Sequence, residues 1–190
     1  VTEECAKAGI PVVYINREPE AEREQAWVDE GIKATYVGAD ARQSGTFQGE
    51  EIAELENKGD ADGDGVVRYI MVQGDPENVD AQYRTEFSIK ALTDAGIEVE
   101  ELVKMRGDWD QTKGQEITAN ALAQHGAKID VVFCNNDAMA LGALQAIEAA
   151  GRTVNKDIYL VGVDALVEAV ENVMNCLLYT SPSPRDRQKS

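Results

Sequence analysis

Three aspartates at alternate positions, Asp60, Asp62 and Asp64, followed by Gly65 and Val66, are the densest chemistry in this chain. They stand at positions one, three, five, six and seven of an EF-hand-like calcium loop, where carboxylate oxygens crowd a hard cation and glycine allows the sharp turn. Val66, at position seven, offers its backbone carbonyl. Two residues depart from the pattern. Arg68 at position nine can only donate, and Met71 at position twelve stands where a bidentate glutamate is expected. A cation here therefore needs a carboxylate from elsewhere, and Asp130 is the candidate. The other reading of the run is a solvated acidic turn. A second group of polar residues, Asn135, Asn136 and Asp137, has side chains that either cap a helix or hold a hydrogen-bonding ligand.

The elements around these residues decide what they can reach. Ile129, Val131, Val132 and Phe133 form a short β-branched apolar run, which reads as a buried strand. Ala138–Ala150 reads as a helix with Leu141, Leu144 and Ile147 on one face and Gly151 as its stop. The Asn-Asn-Asp triplet thus lies where a strand hands over to a helix, the place where open α/β sheets bind small ligands. The same grammar repeats along the chain, with strands expected at IPVVYIN, Ile32–Val37, Val67–Val72, Val99–Val103 and Ile158–Val163, each followed by a helix. Polar residues recur after successive strands: Asn16, Asn78 with Asp80, Trp109, Asn136 and Asp164. Alternation of this kind predicts an α/β fold with a doubly wound parallel sheet, and the polar residues would then share one edge as a cleft.

The totals narrow the function classes. A net charge of −17, with only 18 Lys+Arg in 190 residues, argues against nucleic acid and anionic membrane surfaces as partners. Cys5, Cys134 and Cys176 have no paired spacing, so neither a zinc site nor a disulfide framework is indicated. No apolar run reaches the length of a membrane span. The only histidine, His125, falls at a helix end, and no paired nucleophile and base is visible, so an enzyme is not expected. The segment from Leu177 carries three basic residues against one acid and two Ser-Pro steps, and it reads as a non-native or disordered tail.

Taken together, INREP (15–19), YVGAD (36–40), the aspartate loop, GDPENVDAQYR (74–84), DWD (108–110), CNNDAMALGAL (134–144) and VGVDAL (161–166) resemble the bacterial galactose/glucose-binding proteins. These are type I periplasmic binding proteins, the sugar receptors of ABC importers. The resemblance runs in order over residues 1 to about 174. It implies two doubly wound lobes closing on one hexose, with residues 1–35 a remnant of the N-terminal lobe, 36–174 a nearly complete C-terminal lobe and 175–190 the tail, so the fold is expected to be truncated at both ends.

Carried over by position, the resemblance assigns Asn16, Asn78, Asp80, Arg84, Trp109, Asn136 and Asp164 to sugar contact, with Asn78 where the family has a histidine. It assigns Asp60, Asp62, Asp64, the Val66 carbonyl and Asp130 to a structural calcium ion, Asp130 replacing a glutamate one methylene longer. It further implies galactose or glucose as ligand, importer membrane subunits as partners, a role in chemotaxis in some members, a monomer, and a periplasmic or lipid-anchored extracellular location. Sugar chemistry suits these residues, since paired hydroxyls want amides, carboxylates and an arginine, and C–H faces want an aromatic platform. Local alternatives stand beside each assignment. Asn136 and Asp137 can be helix caps, Asp110 a cap, Trp109 core, and Asp80 with Arg84 an i,i+4 helix pair. The effector domain of a LacI-type sugar-responsive repressor is the alternative function with the same fold.

Overall fold

A computed structural model describes residues 1–181. Its centre is a five-stranded parallel sheet in the order β4-β3-β5-β6-β7. The strands are β3 (Val67–Gln73), β4 (Val99–Arg106), β5 (Val131–Cys134), β6 (Tyr159–Val163) and β7 (Tyr179–Ser181). Two further strands, β1 (Val12–Ile15) and β2 (Ala34–Val37), pair parallel with each other in a separate ribbon. The helices are α1 (Thr2–Lys7), α2 (Ala21–Asp29), α3 (Ala41–Ala53), α4 (Val79–Asp94), α5 (Gln111–His125), α6 (Asp137–Ala149) and α7 (Val167–Met174).

Every residue of β5 and β6 is buried, as expected of strands covered on both faces. Period-two alternation divides their side chains between two cores. Ile70, Val72, Val132, Cys134 and Leu160 meet α5 and α6 residues such as Leu122, Met139 and Ile147. Tyr69, Met71, Val131, Phe133 and Val161 meet Ile52 of α3 and Leu92 of α4 on the other face. Helices on both faces of a parallel sheet make the doubly wound architecture that the sequence pattern predicts. The backbones of α3 and α4 touch at Gly49, where a Cβ would lie 2.2 Å from the Ser88 carbonyl oxygen. Among the described residues no helix is long and apolar enough to cross a membrane.

Two expected boundaries move. Residues 36–37 were expected to open the larger unit, but they complete β2, whose hydrogen bonds go to β1, so the break between sheets falls at residues 38–40. Residues 177–181 were expected to lie outside the fold with the rest of 175–190. Instead Leu178 is 1% exposed in the α5/α6-side core, and Val161, Gly162 and Val163 pair with Tyr179, Thr180 and Ser181. The Ser-Pro steps and basic residues that mark this segment as foreign begin at Ser181, the last residue of the strand, and residues 182–190 lie outside the described residues.

Candidate functional site

A cleft of about 460 Å³ lies at the carboxyl ends of the strands, lined by Asn16, Asn78, Asp80, Arg84, Trp109, Asn136 and Asp164 together with Arg17, Tyr36, Ser44 and Leu166. All seven residues that the sequence suggests for sugar contact are therefore brought together, although they come from five different strand-to-helix connections in the chain. A cleft of this size is within the range of small-molecule sites.

Arg84, on the second turn of α4, is the hub. Its Nη1 donates to the Asn135 carbonyl at 2.7 Å and lies 3.4 Å from Asp164 Oδ1. Its Nε is shielded from solvent with no partner among the described residues. The guanidinium carbon stands 5.8 Å from the centre of the Trp109 ring. A fixed planar donor beside an aromatic face is suited to grip paired hydroxyls while the ring covers a C–H face.

Trp109 reaches this position through strained backbone, with φ +51° at Asp108 and +64° at Trp109. Asp108 bridges Arg106 and Lys113, which hold the turn, and its carboxyl sits below the usual carboxylate range because of the Lys113 and Arg106 hydrogen bonds. The indole lies flat on Gly74, where any Cβ would come within 2.4 Å of Trp109 Cζ2. Asp110 caps α5 through the Lys113 N–H, as the sequence reading has it.

Asn78 and Asn136 are helix caps that also line the cleft. Asn78 Oδ1 accepts from Asp80 N at 2.8 Å and caps α4; Asn136 Oδ1 accepts from Met139 N at 3.0 Å and caps α6. With those oxygens engaged, the amide N–H groups are what each residue can offer a ligand, although Asn136 Nδ2 also donates to the Trp109 carbonyl at 3.5 Å. For Asn136 the sequence leaves capping and ligand contact as alternatives; the structure shows the cap, on a residue that lines the cleft.

Asp137 is buried and does not face solvent. Its Oδ2 accepts from Leu166 N at 2.8 Å and its Oδ1 from Thr180 Oγ1 at 2.6 Å. It thereby ties α6 to β7 and to the loop that carries Asp164, where φ is +116° at Asp164 and +55° at Ala165. Burial pushes the Asp137 carboxyl up to about 7, against the pull of its three donors and with a further push from Asp164. Asn135, read in the sequence with its two neighbours as a cap or ligand holder, is instead a second support. Its side-chain oxygen accepts from Gly74 N at 2.9 Å and from Thr85 Oγ1 at 3.2 Å, clamping the Trp109 shelf to α4. The signal for it was the doubled asparagine, of which the cleft uses one and the core the other.

At the opposite ends of the strands, the loop before β3 brings carboxylate oxygens of Asp60, Asp62 and Asp130 within 4.8 Å of one another. Asp130 is wholly buried and joins β3 to the loop, accepting from Arg68 N at 2.8 Å and Ala61 N at 3.1 Å. Burial raises its carboxyl above the usual range, helped by Asp62 and Asp60. Asp60 accepts from Gly63 N and Gly65 N. Asp64, expected with them, is turned to Arg68, whose Nη1 lies 2.7 Å from its Oδ2. The donor set of hard carboxylates, one of them delivered from 69 residues away in the chain, suits a hard divalent cation in type.

Residues 1–181 match the Periplasmic binding protein domain family. The chain belongs to the periplasmic binding protein family. This binding protein is 36% identical over 166 residues to the D-galactose/methyl-galactoside binding periplasmic protein MglB of Haemophilus influenzae, a match covering 85% of this chain and 48% of the relative. It is 31% identical over 152 residues to the D-ribose/D-allose-binding protein of Pseudomonas aeruginosa, covering 80% and 44%. Among solved structures, an ABC transporter solute binding protein from Bacillus halodurans with bound myo-inositol superposes with a TM-score of 0.76 at 29% identity, covering 93% of this chain and 55% of that one. The chain spans about half the length of the curated relatives it matches.

Proposed function

We propose that this binding protein is about half of a sugar receptor for an ABC importer, with galactose or glucose as ligand. The observation that carries this reading is the Arg84–Asp164 pair beside the Trp109 face, ringed by Asn16, Asn78, Asp80 and Asn136. A ring hydroxyl both donates and accepts, so it is matched by amides, carboxylates and a guanidinium in one cleft. Nothing in the cleft has the form of a nucleophile with its base, and the receptor acts by holding its ligand and presenting the closed shape to the importer's membrane subunits, outside the cytoplasmic membrane. Support comes from the relatives, whose names are those of binding proteins for galactosides, ribose and allose. They lend the repressor alternative no support.

The same reading assigns the acidic loop to calcium, held by Asp60, Asp62 and Asp130 with the Val66 carbonyl, and by Asp64 once Arg68 releases it. The ion would neutralise carboxylates that otherwise repel one another and would brace the lobe at the end of the sheet away from the sugar. Titration of the full-length receptor with galactose and with glucose, followed by Trp109 fluorescence and by calorimetry, tests the sugar assignment. Saturable binding with a fluorescence change is expected for at least one of them; flat titrations with both remove it.

A further inference from the structure

Arg68 is the one residue of the acidic loop that a cation cannot use. Its Nη1 lies 2.7 Å from Asp64 Oδ2 and 4.0 Å from Asp62 Oδ2, while its Nε donates to Glu100 Oε2 on the neighbouring strand β4 at 2.9 Å. A guanidinium keeps its charge at every accessible pH, so a unit positive charge is tethered among the loop's acids. The loop's own N–H groups take up part of the remaining lone pairs, with Gly63 and Gly65 donating to Asp60, Asp64 N to Asp62, and Val66 N to Asp64. The run is thus held together by the chain's own donors, and a metal entering it meets both an occupied Asp64 and a like charge.

We propose that Arg68 is a built-in competitor of the cation, and that its exchange between Asp64 and Glu100 sets the calcium concentration at which the loop fills. The inference rests on the reading of the loop as a calcium site. When calcium takes Asp62 and Asp64, the guanidinium keeps Glu100 as its resting partner, so the switch needs a rotation of one side chain and no refolding of the loop. The Glu100 side chain is more than half exposed and its carboxylate has no other partner among the described residues, so it is the removable half of this device.

The experiment is the melting temperature of the full-length receptor across chelator-buffered free calcium, for the wild type, Arg68→Gln, Glu100→Gln and the double variant. Arg68→Gln is expected to lower the calcium concentration of half-maximal stabilisation at least tenfold, and Glu100→Gln to raise it about threefold. In the Arg68→Gln background, Glu100→Gln should have little effect, because its action runs through Arg68; an equal effect in both backgrounds would mark a simple charge effect and overturn the exchange. Equal midpoints for wild type and Arg68→Gln overturn the proposal and leave the calcium reading standing. No calcium response in any of the four proteins overturns both. Should Arg68→Gln fail to fold, Glu100→Gln decides by itself, an unchanged or lowered midpoint overturning the proposal.

Discussion

The Arg84 guanidinium spends one nitrogen on the Asn135 carbonyl and on Asp164, and leaves its Nε without a partner among the described residues. Replacement by lysine keeps the charge and loses the planar fork, so Arg84→Lys should weaken sugar binding by about 1.5–3 kcal/mol, roughly ten- to a hundredfold, with little change in circular dichroism. Calorimetric titration of both proteins checks this. Glu51 poses the opposite problem. It lies in α3, its Oε2 is shielded with no partner among the described residues, and burial, aided by Asp137 and Glu54, pushes its carboxyl up to about 7. A folded-state value above the unfolded one means the native state holds the proton more tightly, so stability falls as pH rises between about 4.5 and 7. Glu51→Gln should flatten that fall and raise stability at pH 8 by about 1–3 kcal/mol, read from melting curves against pH. Site residues were legible in the sequence where a polar residue ends an apolar run, as at Asn16, Asn136 and Asp164. The burial of Glu51 and the supporting bonds of Asn135 were not, because they depend on which helix or strand covers these residues, and that is decided by chain segments far away.

At the scale of elements, the strand–helix alternation was legible because burial on both faces makes β5 and β6 continuous apolar runs, and because Asp40, Asn78, Asp110 and Asn136 write their helix starts into the sequence as caps. Strand β7 escaped detection. It is three residues long at the sheet edge, and its place depends on Leu178 entering a core built by other elements. The division between sheets also escaped, since β2 has the same local pattern whichever strand it pairs with. The loop before β3 shows a motif legible in type and misleading in detail: three of its expected ligands converge and Asp64 turns away to Arg68, a pairing that depends on side-chain reach and not on spacing. If calcium fills this loop, saturating metal should raise the melting temperature by on the order of 5 °C. Asp62→Ala should abolish that rise; a rise of full size in the variant would place the metal elsewhere.

For the molecule as a whole, the cleft draws on both the β1–β2 ribbon, through Asn16 and Tyr36, and the five-stranded unit, with Arg42 of α3 spanning to Glu18 at 3.6 Å. The chain spans about half the length of its relatives, and on the proposed reading it supplies one side of the sugar cleft. The 190-residue chain by itself is therefore expected to bind galactose or glucose weakly, with a dissociation constant in the millimolar range, corresponding to about −4 kcal/mol; micromolar binding by this chain would show that one lobe suffices. The ribbon has a further consequence. Val13, Ile15 and Val37 are more than half exposed on one of its faces, and two strands without a third are marginal in water. The five-stranded unit has two full cores and depends on none of these contacts for its own. The chain should accordingly have two lifetimes against a protease: an early cut near residues 38–40, and a core beginning at α3 that survives long after the ribbon has been digested.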